Sequence, residues 1–241
     1  MYKLVETKDK SPSLILGSDG LSEMMHNSHG AFKESLYIYE SALIQAHKQE
    51  HLALSVYSLG LGLGYNEWIS LGYCLKHKLS LKLQTSESEQ WLYTVLKQIV
   101  GLESADQSFQ DVYKAMIQVI ELVCEHYELK PKDMIQSAHK LLASSDWKLY
   151  GALTNESLAL IEPVTVVFYD AFSKKMSPEL WQEEFLTNFL LHTAAPEGCV
   201  FSTYACTGSL KRSLKQSGFH LIPRQGFEGK RESTLAIKQS P

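Results

Sequence analysis

Cysteine is scarce: the 241 residues hold four, Cys74, Cys124, Cys199 and Cys206, scattered with no CxxC pair and no histidine at ligand spacing. That excludes a disulfide scaffold and favours reduced, mostly buried thiols over metal ligands. Long apolar runs are missing as well. Nothing approaches the ~20 residues of a membrane span, and the start MYKLVETKDKSPS mixes charges of both signs with no apolar stretch of signal-peptide length. A cytoplasmic protein without membrane association is the simplest expectation. Internal repeats and low-complexity segments are also lacking. Charge of one sign is in short supply too: 23 Lys and Arg against 27 Asp and Glu leave a net −4 with the nine His neutral. This argues against a protein that coats nucleic acid along its whole length. What is present is 44% apolar content in a chain long enough to bury on the order of 70% of its unfolded surface. Disorder and collagen-like repeats are therefore excluded.

The clearest local signal is LALSVYSLGLGLGYNEWISLGYCL from Leu52. It reads as an apolar strand through Leu59, a turn dense in glycine at Gly60, Gly62 and Gly64, then a helix carrying Trp68, Ile69 and Leu71. Residues 79–87, LSLKLQTSE, supply the next strand and close a βαβ unit. Between 88 and 145 the character changes. Phe109, Val112, Tyr113, Met116, Val119, Ile120 and Val123 recur at helical spacing, and a further helix begins near Asp133. This predicts a helical insertion, placed over the sheet as a lid or cap. Strands resume at 147–153, 165–170 and 198–204, with a helix over 179–193, and GFHLIPRQ and ESTLAIKQ form a closing hairpin. The expectation is one α/β domain over 1–241 with a mostly parallel sheet, an antiparallel edge and an N-terminal extension with a helix over 1–50.

Three features could carry chemistry. The loop GLGLGYN follows a strand and opens a helix, so its backbone N–H groups and the helix dipole face one place, and glycine lets a ligand sit against the main chain. Glu87, 25 residues beyond Gly62, ends the next strand, where nucleoside-binding folds place a ribose acceptor. The spacing is not the dinucleotide GxGxxG and lacks the Lys-Ser/Thr of a phosphate loop. A nucleoside with a short charged tail fits better, S-adenosyl-L-methionine being the usual one, which points to methyl transfer over hydride transfer. Asp170 ends the strand TVVFYD and stands too far upstream of Pro178 to cap the following helix. A carboxylate at that mouth can accept hydrogen bonds from an amine nucleophile and bias it toward its neutral, reactive form, and Phe172 offers a flat surface for a base. Finally, from Ala205 onward seven Lys or Arg (Lys211, Arg212, Lys215, Arg224, Lys230, Arg231, Lys238) face only Glu228 and Glu232. That balance of +5 leaves −9 for the first 204 residues. Such asymmetry fits either a nucleic-acid-facing end or a solvated helix face with a charged hairpin.

Taken together, TKDKSPSL (7–14), MHNSHGAFKES (25–35), GLGLGYN (60–66), SE (86–87), GAL (151–153), FYDAFSKKMSPELW (168–181), STYACTGSLKRSLKQSGF (202–219) and GFEGKRE (226–232) form an ordered set. The chain resembles the methyltransferase half of the bifunctional tRNA 5-methylaminomethyl-2-thiouridine biosynthesis family, the MnmC/MnmD-like proteins. The resemblance covers nearly everything but 88–145. It implies a class I, Rossmann-like methyltransferase fold with a seven-stranded sheet and an antiparallel C-terminal hairpin, S-adenosyl-L-methionine as cofactor, and methylation of the amine of 5-aminomethyl-(2-thio)uridine at the tRNA wobble position. It further implies that Gly60, Gly62, Gly64 and Asn66 line the methionine and ribose side of the cofactor and that Glu87 holds the ribose hydroxyls. Gly151 and His26 would lie in the cofactor cleft, Asp170 would face the amine, and Phe172 would lie near the base. Lys230 and Arg231 would stand at the tRNA-facing edge. With no FAD-binding half in the 241 residues, a separate FAD-dependent oxidoreductase becomes the expected partner. Departures from the family pattern are Leu61 and Leu63 in the glycine loop, Met25 before His26, Lys174 for proline, and Gly151-Ala152-Leu153 without the adenine-binding acid, for which Asn155 and Glu156 are nearby candidates. They leave open a methyltransferase with another substrate, or a diverged non-catalytic binding relative.

Overall fold

The protein is described here from a computed structural model covering residues 2–18, 21–49, 53–104, 107–228 and 232–239. Three short antiparallel strands open the chain: β1 (Tyr2–Glu6), β2 (Pro12–Ser18) and β3 (Leu21–Met24). They lead into α1 (Ala31–Ser35), a π-helical turn (Leu36–Glu40) and α2 (Ser41–Lys48). The β1–β2 turn serves as the cap of α1. Ser11 Oγ accepts from the Ala31 and Phe32 N–H groups at 3.1 and 3.0 Å, Thr7 Oγ1 from Ala31 at 3.2 Å and Asp9 Oδ2 from Lys33 at 3.3 Å. Side chains from a distant turn thus satisfy donors that the helix itself leaves open.

The main sheet has seven strands in the order β6–β5–β4–β7–β8–β10–β9, built from β4 (Ala53–Leu59), β5 (Ser80–Ser86), β6 (Trp147–Tyr150), β7 (Val166–Tyr169), β8 (Val200–Thr203), β9 (Phe219–Ile222) and β10 (Thr234–Lys238). All pairings are parallel except those of β10, which runs antiparallel to both β8 and β9. The C-terminal hairpin therefore does not hang on the edge. Its second strand slots inward, with Leu235 and Ala236 buried, and leaves β9 outermost. Central strands are covered on both faces, so alternate residues enter different cores: Val56 and Phe168 pack with Trp68 and Leu83, whereas Tyr57, Val167 and Tyr169 pack with Phe189 and Phe201.

Helix α3 (Tyr65–His77) returns from β4 to β5. The stretch after β5 is helical as expected, with α4 (Trp91–Ile99), α5 (Gln110–Tyr127) and α6 (Pro131–Ala143). It is not a lid. Val112, Met116, Val119, Ile120 and Val123 form a fully buried stripe in the same core as α3, and a side chain added at Gly72 of α3 would lie 2.4 Å from the Tyr127 ring. An apolar stripe of that length must bury against an apolar face, and the outer surface of α3 supplies one. Two further helices, α7 (Glu183–Thr193) and α8 (Gly208–Gln216), cover the opposite core. Among the described residues no helix is long and apolar enough to cross a membrane.

Candidate active site

The ends of β4, β5 and β7 converge on one cleft. The turn after β4 runs with positive φ at Gly60, Gly62 and Gly64 (+88, +51 and +82°), a conformation that costs other residues about 1–2 kcal/mol. A Cβ at Gly62 would lie 2.9 Å from Met25 Sδ, so glycine there keeps the floor of the cleft open. Gly64 has a different task. It is the residue before α3, its carbonyl accepts from Trp68 N–H at 2.9 Å, and a Cβ would meet the Trp68 indole nitrogen at 2.7 Å.

Glu87 reaches across from the end of β5 and grips this turn. Its Oε2 accepts from the N–H groups of Leu61 (2.9 Å) and Gly62 (3.2 Å), and its Oε1 from Glu89 N–H (2.8 Å) and the Ser88 hydroxyl (3.3 Å). Burial pushes its pKa up, while these donors pull it down. Opposite, Asp170 at the end of β7 accepts from Asn66 Nδ2 at 3.1 Å, a link between residues 104 apart in sequence. Asn66 is buried, and its Oδ1 has no hydrogen-bond partner. His26 closes one side, its Nδ1 3.0 Å from Ser13 Oγ and its ring edge-on to Tyr65 at 4.8 Å. Phe172 forms part of the wall, and its carbonyl accepts from the Trp181 indole at 2.6 Å.

Gly60, Gly62, Asn66, Glu87, His26, Asp170 and Phe172 thus line a single cleft. Gly64 and Gly151 are not in its wall; beyond Gly151 the wall is Ala152 and Leu153, an apolar edge, while Asn155 and Glu156 are exposed and outside it. Lys230 and Arg231 lie outside the described residues. Among the described residues of 88–145 only Ser88 touches the cleft. Two cations of the basic carboxy-terminal end form ion pairs on the surface. Lys211 pairs with Glu232 at 2.8 Å and Arg212 with Glu183 at 2.7 Å. Arg224 is half-buried, and partial burial draws its pKa down to about 10. Four residues at the cleft escaped the sequence reading: Glu23, Tyr39, Tyr204 and, behind them, Glu34. Glu34 and Tyr204 carried a signal, their places in MHNSHGAFKES and STYACTGSLKRSLKQSGF; Glu23 and Tyr39 carried none. Among the described residues no cluster of His, Cys, Asp and Glu is arranged to hold a metal ion.

A sequence profile of S-adenosyl-L-methionine-dependent methyltransferases matches residues 103–239, more than half of the chain. The protein belongs to this methyltransferase family. S-adenosyl-L-methionine is accordingly its cofactor. The cleft fits that group: it lies at the carboxyl ends of parallel strands, with main chain laid bare by glycine, a buried carboxylate across from it and an unpartnered amide oxygen between. The chain is 36% identical over 73 residues to the tRNA 5-methylaminomethyl-2-thiouridine biosynthesis bifunctional protein MnmC of Hahella chejuensis, covering 30% of this chain and 11% of that protein. It is 27% identical over 194 residues to the same-named protein of Leptospira interrogans, covering 76% and 27%. The matched region is thus about a quarter or less of these relatives' length. The crystal structure of MNMC2 from Aquifex aeolicus superimposes over 100% of this chain and 72% of its own with a TM-score of 0.67 at 22% identity, which shows a shared fold. The class I methyltransferase sheet with its antiparallel C-terminal strand is therefore the fold of this methyltransferase.

Proposed function

We propose that this methyltransferase methylates the primary amine of 5-aminomethyl-(2-thio)uridine at the wobble position of tRNA. The observation that carries the reading is the Asn66–Asp170 pair. It places a carboxylate at the point where the cofactor cleft opens into a second, inner cavity that shares Glu23, Met25, His26, Asp170 and Tyr204 with it. The relatives support the substrate, since their names place them in the biosynthesis of the methylaminomethyl group of tRNA.

In this reading Gly60 and Gly62 give the cofactor access to main chain, and Asn66 Oδ1 accepts from its ammonium group. Glu87 receives the ribose hydroxyls, which take the place of the Ser88 hydroxyl, the longest of its four contacts. Ala152 and Leu153 bound the adenine side by apolar contact. When bound, the cofactor supplies an electrophilic methyl group whose transfer forms an N–C bond and leaves sulfur with the electron pair. Asp170 accepts the N–H hydrogen bonds of the incoming amine and takes up the proton that frees its lone pair. Phe172 supports the uracil ring. Positioning contributes most, because the reaction is a displacement between two held groups. Arg224 is committed to hydrogen bonds within the fold, so tRNA phosphates fall to the surface cations Lys211, Arg212 and Lys215, to Lys174 and Lys175 beside Phe172, and to Lys230 and Arg231. A separate FAD-dependent oxidoreductase that supplies the free amine completes the proposal.

The test is transfer of labelled methyl from S-adenosyl-L-methionine to tRNA carrying 5-aminomethyl-2-thiouridine. Incorporation that disappears on removal of the amine supports the reading. No incorporation, while calorimetry shows the cofactor bound, overturns it.

A further inference from the structure

Among the described residues, the three-stranded N-terminal sheet pairs with no strand of the main sheet. It is tied instead to both lips of the cleft. On one lip the Tyr65 hydroxyl of α3 donates to the Pro12 carbonyl at 2.7 Å, the Tyr65 ring meets His26 edge-on at 4.8 Å, and Met25 Sδ stands over Gly62. On the other lip Glu23 of β3 reaches the segment that follows β7. Its Oε1 accepts from the Ser173 N–H at 3.0 Å and its Oε2 from the Ser173 hydroxyl at 2.5 Å, across 150 residues of sequence. Between the two ties Glu23, Met25 and His26 form one wall of the cleft.

The two ties differ in kind. Tyr65 and Pro12 are buried, so separating them would strand polar groups away from water. Glu23 and Ser173 are only half-buried, and water can take over both of their bonds at small net cost. The sheet is therefore fixed at α3 and releasable at Ser173. The segment it grips is the wall that faces the reaction. Asn66 holds Asp170 at 3.1 Å, the Tyr204 hydroxyl donates to the Ala171 carbonyl at 2.8 Å, and the Trp181 indole donates to the Phe172 carbonyl at 2.6 Å. These three partners belong to the main body of the fold. Glu23 adds the tie to the N-terminal sheet.

We propose that Glu23 is a positioning residue for methyl transfer: by gripping Ser173 it latches the N-terminal sheet across the cleft over bound S-adenosyl-L-methionine, and it releases Ser173 when the cofactor enters and leaves. The inference takes the cofactor to lie in this cleft and is independent of the methyl acceptor. Two bonds to one carboxylate are strong enough to hold the closed arrangement while the methyl group is transferred. Their half-exposed position lets them exchange for water once per turnover, as closing elements of active sites do.

The test is the dissociation rate of S-adenosylhomocysteine from the immobilised full chain, measured by surface plasmon resonance. Glu23→Ala removes both bonds and should raise that rate about tenfold. Ser173→Ala leaves the N–H bond and should raise it by a smaller factor, and Glu23→Gln, which keeps an acceptor, should fall between the parent and Glu23→Ala. The double variant should match Glu23→Ala, because once the carboxylate is gone the hydroxyl has nothing left to hold. In the ligand-free protein, amide hydrogen exchange at Ser173 should quicken in Glu23→Ala, and thermal melting reports that each variant is folded. If Glu23→Ala does not fold, Glu23→Gln and its double variant with Ser173→Ala carry the same comparison. Dissociation rates unchanged in every variant overturn the proposal. So do effects of Glu23 and Ser173 that multiply, which would mean that each touches the cofactor independently, and so does a parent chain that binds no S-adenosylhomocysteine. No acceptor enters the measurement, so a failure to methylate tRNA would remove the functional reading and leave the latch standing.

Discussion

Glu67 offers the sharpest quantitative test of the structure. It follows Asn66 in the first turn of α3, is fully buried, and has one oxygen accepting from Thr85 Oγ1 at 3.2 Å. Burial is the largest influence on it and raises its pKa to about 8, with the nearby Glu87 charge adding a little. A carboxyl whose folded pKa exceeds its unfolded value of 4.5 favours the fold when protonated. Its contribution is therefore intact below pH 4.5 and is lost progressively as pH rises to about 8. At about 1.4 kcal/mol per pH unit, the loss between pH 5 and pH 9 is on the order of 4 kcal/mol. Glu67→Gln removes the titration while keeping an acceptor for Thr85. In a protein of this size about 4 kcal/mol corresponds to roughly 8–16 °C in Tm. Melting both proteins from pH 5 to pH 9 should show the variant gaining on the parent by that amount as pH rises. A difference in Tm that stays constant across the range would refute the buried-acid argument.

The other predictions concern the cleft and its support. Glu87→Ala loses charge-assisted hydrogen bonds and the grip on the glycine turn, so the cofactor Kd should rise about 10–100-fold by calorimetry. Asp170→Ala should leave that Kd within about threefold but lower kcat by about 100-fold or more in the labelled-methyl assay. Gly62→Ala forces a side chain into a φ of +51° and against Met25; it should cost about 1–2 kcal/mol in urea unfolding and weaken cofactor binding as Met25 is displaced into the cleft. Arg224 donates to Ser233, Ile38, Ser41, Ser202, Thr203 and Thr234. Replacing it with Met strands these acceptors and should destabilise the protein by about 3–5 kcal/mol in the same unfolding measurement.

The glycine turn, the β4–α3–β5 unit and the strand ending at Asp170 were legible because each depends on local signals: an apolar strand run, glycines that permit positive φ, and a carboxylate at a strand end. The positions of Gly64 and Gly151 were harder, since a glycine signals an unusual backbone without saying whether a ligand or a neighbouring Trp requires it. The helical stripe of α5 was equally clear as a helix, yet its task was not. Periodicity shows that one face must be covered, and only packing shows that α3 covers it. The basic tail left two readings open for a similar reason, because net charge counts Lys211 and Arg212 whether or not a Glu lies 2.8 or 2.7 Å away on the surface.

By itself, then, the sequence determined the strand–turn–helix geometry of the candidate cleft and the residue types at its mouth, because strand periodicity and glycine conformation act over a few residues. Tertiary structure alone decided that Asn66 meets Asp170 across 104 residues, that the β1–β2 turn caps the helix bearing Glu34 and Ser35, and that Glu23, Glu34 and Tyr39 share one inner cavity. Those juxtapositions join segments by burial and by the hydrogen-bond demands of groups withdrawn from water, and neither is written in the local order of residues.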